Sequence, residues 1–234
     1  MLKSLVLIQY GNMAYDFDTI ARDYDRMNHL MTLGLDRWWR KKAVKGLGGK
    51  VLDVACGTGD MVVELLRHGC TVTGVDLSKE MLAIAKRKTA SDSFQLSTFN
   101  FQLGNAEELP FAEGEFDAVT CAFGVRNFVH LEQGLKEMLR VLKPGGRMVI
   151  LELATPDNPL IRPFYNLYTR HIIPWLGQHI AGSREAYTYL PQSIERFPKG
   201  DAFLQIIQNS KFKIKNCRHR RLTFGVCRMY TVVK

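Results

Sequence analysis

The regular alternation of apolar and amphipathic segments between residues 51 and 153 constrains the fold more than any other feature of this sequence. Short apolar runs flanked by turn residues are typical of strands that are buried on both faces. The amphipathic segments between them show the three-to-four-residue spacing of helices. Strands that alternate with helices at this pace form a mostly parallel sheet with right-handed crossovers. The sequence therefore predicts an α/β fold with a doubly wound sheet.

The predicted elements extend this pattern to both ends of the chain. The predicted strands span residues 51–55, 71–75, 99–103, 116–123, 147–153, 212–217 and 227–233. The predicted helices span residues 17–45, 61–68, 131–142 and 201–209, with one more after the capping residue Ser78. Residues 157–196 are rich in tyrosine, proline and histidine, which predicts an insertion of short helices and loops. Because a short turn joins the last two strands, we expect an antiparallel edge on a seven-stranded sheet.

Composition excludes several classes of protein. The chain has 234 residues, of which 46% are hydrophobic, so it can bury a core and is not intrinsically disordered. No apolar run approaches the roughly 20 residues that a membrane-spanning helix needs. The five cysteines are scattered and form no CxxC motif, which favours reduced thiols over a disulfide framework or a zinc site.

The positive charge lies almost entirely in the last third of the chain. Residues 1–160 hold 19 basic and 20 acidic residues, whereas residues 161–234 hold 13 basic and 3 acidic residues. Such an excess attracts a polyanion or an anionic membrane surface, although a solvated strand face explains it equally well. The densest part, here called the basic cluster, comprises Lys211, Lys213, Lys215, Arg218, Arg220 and Arg221.

A glycine-rich loop follows the first predicted strand and precedes a helix. Gly57 and Gly59 let the backbone approach a ligand, and the helix N-terminus offers free N–H groups. The loop differs from the dinucleotide fingerprint GxGxxG because Val62 occupies the third glycine position. Asp53 lies one turn before this loop, and Asp76 lies at the end of the second strand. Carboxylates in these places suit a cation and a ribose better than a diphosphate.

Residues 51–60, together with Asp76 and the pair Asn105-Ala106, resemble motifs I to III of class I S-adenosylmethionine-dependent methyltransferases. The resemblance implies S-adenosyl-L-methionine as the cofactor, with its ribose at Asp76 and its adenine at Asn105-Ala106. Ala122 stands where relatives often have a serine beside the cofactor. The implied cofactor-binding residues are Asp53, Gly57, Thr58, Gly59, Asp76, Asn105, Ala106 and Ala122.

Longer segments resemble the menaquinone/ubiquinone-biosynthesis C-methyltransferases, a family within that class. YDRMNHLMTLG begins at Tyr24, FGVRN at Phe123 and YTYLPQSI at Tyr187. Similar segments occur at residues 38–40, 106–111, 139–146 and 173–177. Together with the predicted elements, they indicate a single methyltransferase domain of residues 1–234. Its predicted parts are an N-terminal helical lid at 1–45, a cofactor-binding core at 46–156, a substrate-cap insertion at 157–196, and a C-terminal helix and strands at 197–234.

The reaction that this resemblance implies is C-methylation of a prenylated quinol in respiratory quinone biosynthesis. Because the sulfonium is already activated, the protein must align the methyl group with the ring carbon and help a phenolic proton to leave. Arg126 follows the fourth strand and is predicted to stabilise a phenolate or to orient a water. Asn127 is predicted to hydrogen-bond a quinol oxygen. An ion pair that ties the loop to a helix is the alternative role for Arg126.

A quinol pocket needs aromatic walls with polar tips, and the reaction needs a group that accepts a proton. His29, His171 and His179 are candidates for that group, although a histidine of this kind more often packs or lies at the surface than takes part in catalysis. The predicted substrate-binding residues are Tyr24, Asn28, Tyr165, His171 and Tyr187.

The resemblance implies that either of two quinols is the substrate, because the family accepts both. We expect conversion of demethylmenaquinol to menaquinol, with C-methylation of a 2-polyprenyl-6-methoxy-1,4-benzoquinol as the alternative. An apolar substrate and a basic last third predict a cytoplasmic enzyme held peripherally at the inner face of the cytoplasmic membrane. Homo-oligomerisation stays open. No metal and no nucleic-acid partner are predicted.

Three other functions compete with this interpretation. An RNA or protein methyltransferase on the same fold would explain the basic cluster, but no (N/D)PPY motif follows the fourth strand. Val62 and the absence of a YxxxK motif disfavour a nicotinamide-dependent dehydrogenase. A non-catalytic RNA-binding module would not need the set Asp53, Asp76 and Asn105.

Overall fold

The computed structural model describes residues 8–10, 13–15, 21, 24–91, 94, 98–180 and 184–234. Two short strands, β1 (Ile8–Tyr10) and β2 (Met13–Tyr15), pair with each other in antiparallel orientation. All other strands belong to one seven-stranded sheet. They are β3 (Lys50–Val54), β4 (Thr71–Asp76), β5 (Phe99–Leu103), β6 (Phe116–Ala122), β7 (Leu142–Leu153), β8 (Asn216–Leu222) and β9 (Cys227–Val233).

The strand order across this sheet is β5-β4-β3-β6-β7-β9-β8. Strands β3 to β7 run parallel, whereas β9 is antiparallel to both β7 and β8. The structure thus confirms the doubly wound, mostly parallel sheet with an antiparallel edge. Because the parallel strands all end at the same edge, the loops after β3, β4 and β6 lie together where such sheets bind ligands.

Nine α-helices surround the sheet in the described part of the chain, and none of them is long and apolar enough to cross a membrane. A π-helical turn at Tyr168–Ile172 connects α6 to α7, so that residues 162–180 form one continuous helical segment. The helices are α1 (Tyr24–Met31), α2 (Leu35–Ala43), α3 (Asp60–Arg67), α4 (Lys79–Ser91), α5 (Leu131–Val141), α6 (Arg162–Leu167), α7 (Ile173–Ile180), α8 (Arg184–Arg196) and α9 (Asp201–Gln208).

The two faces of the sheet bury separate apolar clusters, because alternate residues of a strand point to opposite faces. Leu52 and Val54 of β3 pack with α5 and α9 on one face. Val51 packs with α2, α3 and α4 on the other, where Trp39 of α2 is 1% exposed. The strands are therefore clamped on both sides, which holds the loops at their carboxyl ends in fixed positions.

The single helix predicted for residues 17–45 is wrong, because two helices occupy its described part. Leu33 and Gly34 between them have left-handed backbone angles, with φ of 53° and 73°. The Gly34 N–H donates to the His29 carbonyl at 2.7 Å, which ends α1 as glycine commonly ends a helix. Residues 17–20 and 22–23 lie outside the described residues. The other elements agree with prediction to within one residue, apart from two strands.

The strand predicted at residues 212–217 is wrong, because β8 begins only at Asn216 and contains the arginines of the basic cluster. Phe212, Ile214 and Cys217 contact the core, and this apolar spacing imitates a strand. β7 likewise begins at Leu142 rather than at residue 147, since Leu142 pairs with Phe116 before an irregularity in the register.

Candidate active site

A small cavity of about 30 Å³ lies against the loop that follows β3. Asp53, Gly57 and Thr58 line it, and Ala122 at the end of β6 forms part of its wall. These are four of the predicted cofactor-binding residues. The fold therefore brings the end of β3, the glycine loop and the end of β6 together around this cavity.

The glycine loop has a backbone that side chains would disturb. Gly59 has φ of 84°, and a Cβ atom there would lie 2.9 Å from the Cβ of Ala85. The Asp76 carboxylate holds the loop, because it accepts hydrogen bonds from Gly57 N at 2.8 Å and Ser78 N at 2.9 Å. Asp76 is only half-buried, so it is also accessible to a ligand. Ser78 in turn caps α4 by accepting a hydrogen bond from Met81 N at 3.0 Å, as predicted.

Asp53 is the most unusual ionisable group in the small cavity. Its side chain is 1% exposed, and Oδ1 accepts a hydrogen bond from the Thr120 hydroxyl at 2.7 Å. Oδ2 has no hydrogen-bond partner among the described residues. Burial is the main reason that the pKa of Asp53 rises to about 7. A buried acceptor of this kind indicates that a ligand with a donor or a positive charge completes the site.

Arg40 of α2 also lines the small cavity and carries the complementary charge. It is 8% exposed, donates to Asp36, and lies 5.2 Å from the centre of the Phe123 ring. Its Nε has no hydrogen-bond partner among the described residues. Asp53 and Arg40, which both line the small cavity, thus each have one buried polar atom without a partner among the described residues.

Ion pairs join the segment α1–α2 to the core beside this cavity. Lys88 of α4 lies 2.6 Å from carboxylate oxygens of both Asp25 and Asp60, and the Thr58 hydroxyl donates to Asp25. Burial alone would raise the pKa of Asp60, but the cations Arg40 and Lys88 lower it. Because Asp25 bridges α1 to the glycine loop, α1 is anchored over the small cavity.

Four predicted cofactor-binding residues do not line this cavity, namely Gly59 and Asp76, described above, and Asn105 and Ala106. Asn105, after β5, is exposed, and its side-chain oxygen accepts a hydrogen bond from Glu107 N at 3.0 Å, which stabilises a turn. Ala106 is 8% exposed and packs into the core. Both follow β5 at the same sheet edge as Asp76, and they line neither described cavity.

A second, larger cavity of about 240 Å³ adjoins the first. Its lining is mostly apolar and comes from α1, α2, the end of the sheet and the helices of the 157–196 insertion. Tyr24, Arg40 and Phe123 line both cavities. These three residues therefore mark the junction at which a group bound in the small cavity meets a molecule bound in the large one.

Three of the predicted substrate-binding residues, Tyr24, Asn28 and Tyr165, line the large cavity. Burial raises the pKa of the Tyr24 hydroxyl, and Asn28 hydrogen-bonds it. His171 does not line the cavity, because it lies exposed on the outer face of the helical segment. The side chain of Tyr187 lies outside the described residues.

The other two histidines considered as bases, His29 and His179, also lie away from the junction. His29 Nδ1 lies 2.8 Å from the Asp36 carboxylate, and His179 is exposed with Nδ1 2.8 Å from the Trp175 carbonyl. Neither histidine lines the described cavities. The described part of the chain thus brings no histidine to the cavity surface.

Arg126 lies in the wall of the large cavity and forms a buried ion pair. Its Nη1 donates to Glu152 Oε1 at 2.9 Å and to the Phe123 carbonyl, and its Nε to the Ser193 hydroxyl at 3.4 Å. Glu152 at the end of β7 is 1% exposed, and burial raises its pKa. The ion pair considered as the alternative role is present, although it ties the loop to a strand. Asn127 follows in the same turn and lines neither described cavity.

Sequence reasoning assigned no role to Arg40, Phe123 or Glu152. One signal was available for Glu152, because it is the only charged residue in the apolar run 148–153. A carboxylate in a strand buried on both faces needs a partner, which points to a nearby cation. Arg40 had no such signal, since it follows Trp38 and Trp39 in a helix with basic residues along its length.

The sheet order and the ligand cavity at the carboxyl edge define the class I methyltransferase fold. Phosphoethanolamine N-methyltransferase 2 of Haemonchus contortus, solved with S-adenosyl-L-methionine, superposes with a TM-score of 0.66 at 15% identity over 93% of this chain and 57% of that one. A SAM-dependent methyltransferase from Aquifex aeolicus superposes with a TM-score of 0.58 at 16% identity, over 89% and 97% of the chains. Similarity at this level of identity establishes the fold alone.

The sequence establishes the family. Residues 9–234 match the model of the ubiE/COQ5 methyltransferase family, and the chain belongs to this family. It is 43% identical over 222 residues to the ubiquinone/menaquinone biosynthesis C-methyltransferase of Geotalea daltonii, covering 92% of this chain and 93% of that protein. It is 40% identical over 225 residues to the demethylmenaquinone methyltransferase of Bacteroides fragilis, covering 93% and 90%.

Proposed function

We propose that this protein transfers a methyl group from S-adenosyl-L-methionine to a ring carbon of a prenylated quinol. The preferred substrate is demethylmenaquinol, which is converted to menaquinol. The names of its relatives support this reaction. The observation that carries it is the junction at Tyr24, Arg40 and Phe123, where a small polar cavity opens onto a large apolar one. A charged cofactor and an apolar acceptor require such an arrangement.

The small cavity fits the charged end of S-adenosyl-L-methionine. The buried Oδ2 of Asp53 suits an α-ammonium group, and the buried Nε of Arg40 suits an α-carboxylate. Asp76 at the end of β4 suits the ribose hydroxyls. When bound, this cofactor supplies an electrophilic methyl group on a good leaving group. The protein residues therefore need to orient and exclude water rather than activate the donor.

The large cavity fits a flat aromatic ring with an apolar tail. Because burial raises the pKa of Tyr24, its hydroxyl is protonated at neutral pH and donates a hydrogen bond to a quinol oxygen rather than acting as a base. Arg126 lies in the wall of this cavity and stabilises the phenolate that forms when the quinol gives its proton to a water molecule. Glu152 fixes the guanidinium by holding Nη1.

We place this reaction at the inner face of the cytoplasmic membrane, where a prenylated quinol resides. Residues 24–43 act as a lid over the cofactor, anchored by Asp25 and Lys88. The insertion at 157–196 acts as the substrate cap, since Tyr165, Thr169 and Ile173 line the large cavity.

Replacing Asp76 with alanine should weaken S-adenosyl-L-methionine binding by about 1.5–3 kcal/mol, the scale for a hydrogen bond to a charged group. The change removes the ribose acceptor and also releases Gly57 N from its hydrogen bond. Calorimetric titration measures the affinity, and the melting temperature reports on the fold. Glu80→Ala is the matched control, because Glu80 is an exposed carboxylate near Asp76. Unchanged affinity in a folded Asp76→Ala variant would refute this role.

The substrate assignment is tested with short-chain analogues of both quinols. We expect kcat/KM to be about tenfold higher for demethylmenaquinol than for the methoxy-benzoquinol, since the second ring buries more apolar surface in the cavity. Mass spectrometry of the methylated products gives the rates. The reverse preference would support the ubiquinone reaction instead. A protein that binds the cofactor but methylates neither quinol would overturn the proposed function.

A further inference from the structure

The helical segment 162–180 exposes a row of large apolar side chains to solvent. Phe164 is 75% exposed, and Leu167 and Trp175 are each 58% exposed. Phe164, Leu167, His171 and Trp175 follow one another at intervals of three or four residues, which places them on one face of the helix. Leu160, in the turn before α6, is 77% exposed. We call Leu160, Phe164, Leu167 and Trp175 the apolar rim. Exposed apolar surface of this kind marks an interaction site.

The opposite face of the same segment forms part of the large cavity. The cavity is lined on this side by Tyr165, Thr169 and Ile173. The helical segment therefore lies between the interior of the cavity and the apolar rim. Two more exposed apolar residues lie at the cavity. Leu33 lines it and is 75% exposed, and Phe224, which adjoins the lining residue Thr223, is also 75% exposed. Apolar surface therefore continues from inside the cavity to the outside.

Phe224 is held in this exposed position against its backbone preference. Its φ of 56° lies in the left-handed region, which a non-glycine residue adopts only at some cost in free energy. An exposed aromatic side chain gains nothing from that geometry in water. The strain is consistent with a phenylalanine that contacts a partner.

The segment that carries the apolar rim has positive charge only. Residues 158–183 contain no aspartate or glutamate, but they contain Arg162, Arg170 and two histidines. Both arginines are exposed, although Arg170 lies 2.9 Å from Glu195. An apolar helix face on a segment that carries cations and no anions of its own matches the interface of an anionic lipid bilayer.

We propose that the apolar rim docks on the surface of an anionic phospholipid bilayer, with the large cavity open toward the lipid. This rests on the proposed function, because a prenylated quinol dissolved in the bilayer then enters the cavity without crossing water. The lipid surface is favoured over a second copy of this chain because residues 158–183 carry two arginines and no acidic residue, and because further exposed apolar residues, Leu33 and Phe224, lie at the cavity.

The lysines of the basic cluster lie at the other end of the molecule. Lys211, Lys213 and Lys215 precede β8, whose first residue, Asn216, pairs with Val233. Val233 also pairs with Arg147, in the amino-terminal half of β7, whereas the cavities lie at the carboxyl ends of the parallel strands. These lysines are exposed and lie far from the rim, so they serve as a matched control.

The experiment measures binding of the full chain to vesicles of phosphatidylglycerol and phosphatidylcholine in equal parts. Trp38→Phe leaves Trp175 as the exposed tryptophan, and brominated lipids should quench its fluorescence. Phe164→Ser/Leu167→Ser should weaken vesicle partitioning at least about tenfold, because two apolar side chains no longer enter the interface. Lys211→Gln/Lys213→Gln/Lys215→Gln should leave it within about twofold.

Both variants are also assayed with a short-chain quinol in solution, where turnover should match the parent protein because neither variant alters a cavity residue. Failure of the parent to methylate this quinol would count against the proposed function, while the vesicle data would still decide the docking surface. Vesicle binding that survives Phe164→Ser/Leu167→Ser, or that only the lysine variant loses, would overturn the proposal. A dimer that dissociates in the serine variant with vesicle binding intact would assign the rim to a second copy.

Discussion

Replacing Arg126 with alanine is expected to lower kcat about 100-fold or more, the scale for loss of one preorganised donor to a developing oxyanion. The affinity for S-adenosyl-L-methionine should hardly change, because Arg126 does not line the small cavity. Lysine at this position should restore only part of the rate, since an ammonium lacks the planar fork of a guanidinium. Single-turnover methyl transfer measures the chemical step, and titration calorimetry measures cofactor affinity.

The buried ion pair of Arg126 with Glu152 means that Arg126→Ala changes stability as well as chemistry. Removal of the guanidinium leaves a carboxyl that is 1% exposed without its cation, which typically costs about 3–5 kcal/mol of folding free energy. Arg126→Ala should therefore also lower the melting temperature. A loss of activity in this variant alone would not distinguish a chemical role from a structural one.

The double variant Arg126→Ala/Glu152→Gln separates the two roles. It removes the uncompensated charge, so much of the lost stability should return, because burying a neutral amide costs less than burying a carboxylate. If Arg126 stabilises the phenolate, turnover stays about 100-fold down in the restabilised protein. If turnover recovers with the melting temperature, Arg126 serves only as the partner of Glu152, and Tyr24 at the junction becomes the main candidate for contact with the quinol oxygen.

Replacing Asp53 with asparagine is expected to weaken S-adenosyl-L-methionine binding by about 2–5 kcal/mol, the range for truncating one member of a buried charge pair. The same change should stabilise the ligand-free protein. The folded-state pKa of Asp53 is about 7, above the usual value of 3.8, because the carboxyl is buried. The ionised form is therefore unfavourable in the folded state. Opposite changes in affinity and melting temperature are the expected result.

The pH dependence has a defined sign. Because the folded pKa is raised, stability contributed by the protonated carboxyl is present below pH 3.8 and is lost as pH rises toward about 7. The stabilisation by asparagine should accordingly be largest above pH 7. Cofactor affinity of the parent should increase with pH up to about 7, as the carboxylate that pairs with the ammonium forms.

Thr120→Val provides the matched control for Asp53. It keeps the carboxyl and removes the Thr120 hydroxyl that donates to Oδ1, so the pKa of Asp53 should rise and the pH profile of binding should move to higher pH. A flat profile in the parent protein, or an Asp53→Asn variant that binds the cofactor normally, would contradict the assignment of Asp53 to the ammonium group.

The local pattern of the sequence determined the layers of the fold and the part of the site that surrounds the glycine loop. Apolar runs placed the strands, and the glycine loop with Asp53 and Asp76 marked the carboxyl edge, because these signals depend on residues close together in the chain. Because these signals are local, they also led to the two wrong predictions, the single helix at 17–45 and the strand at 212–217. Left-handed angles at Leu33 and Gly34 end α1 inside an apparently continuous helical pattern, and the apolar spacing at Phe212 imitated a strand.

The tertiary structure alone decided which groups meet across the chain. Arg126 and Glu152 are 26 positions apart, and only the parallel pairing of β6 with β7 brings them together. Arg40 reaches the small cavity because α2 packs on the sheet, and no pattern near Arg40 encodes that contact. His171, predicted to bind substrate, faces solvent because the rotation of the helical segment depends on which face finds apolar partners. Sequence periodicity specifies that an amphipathic face exists, whereas packing specifies what it contacts.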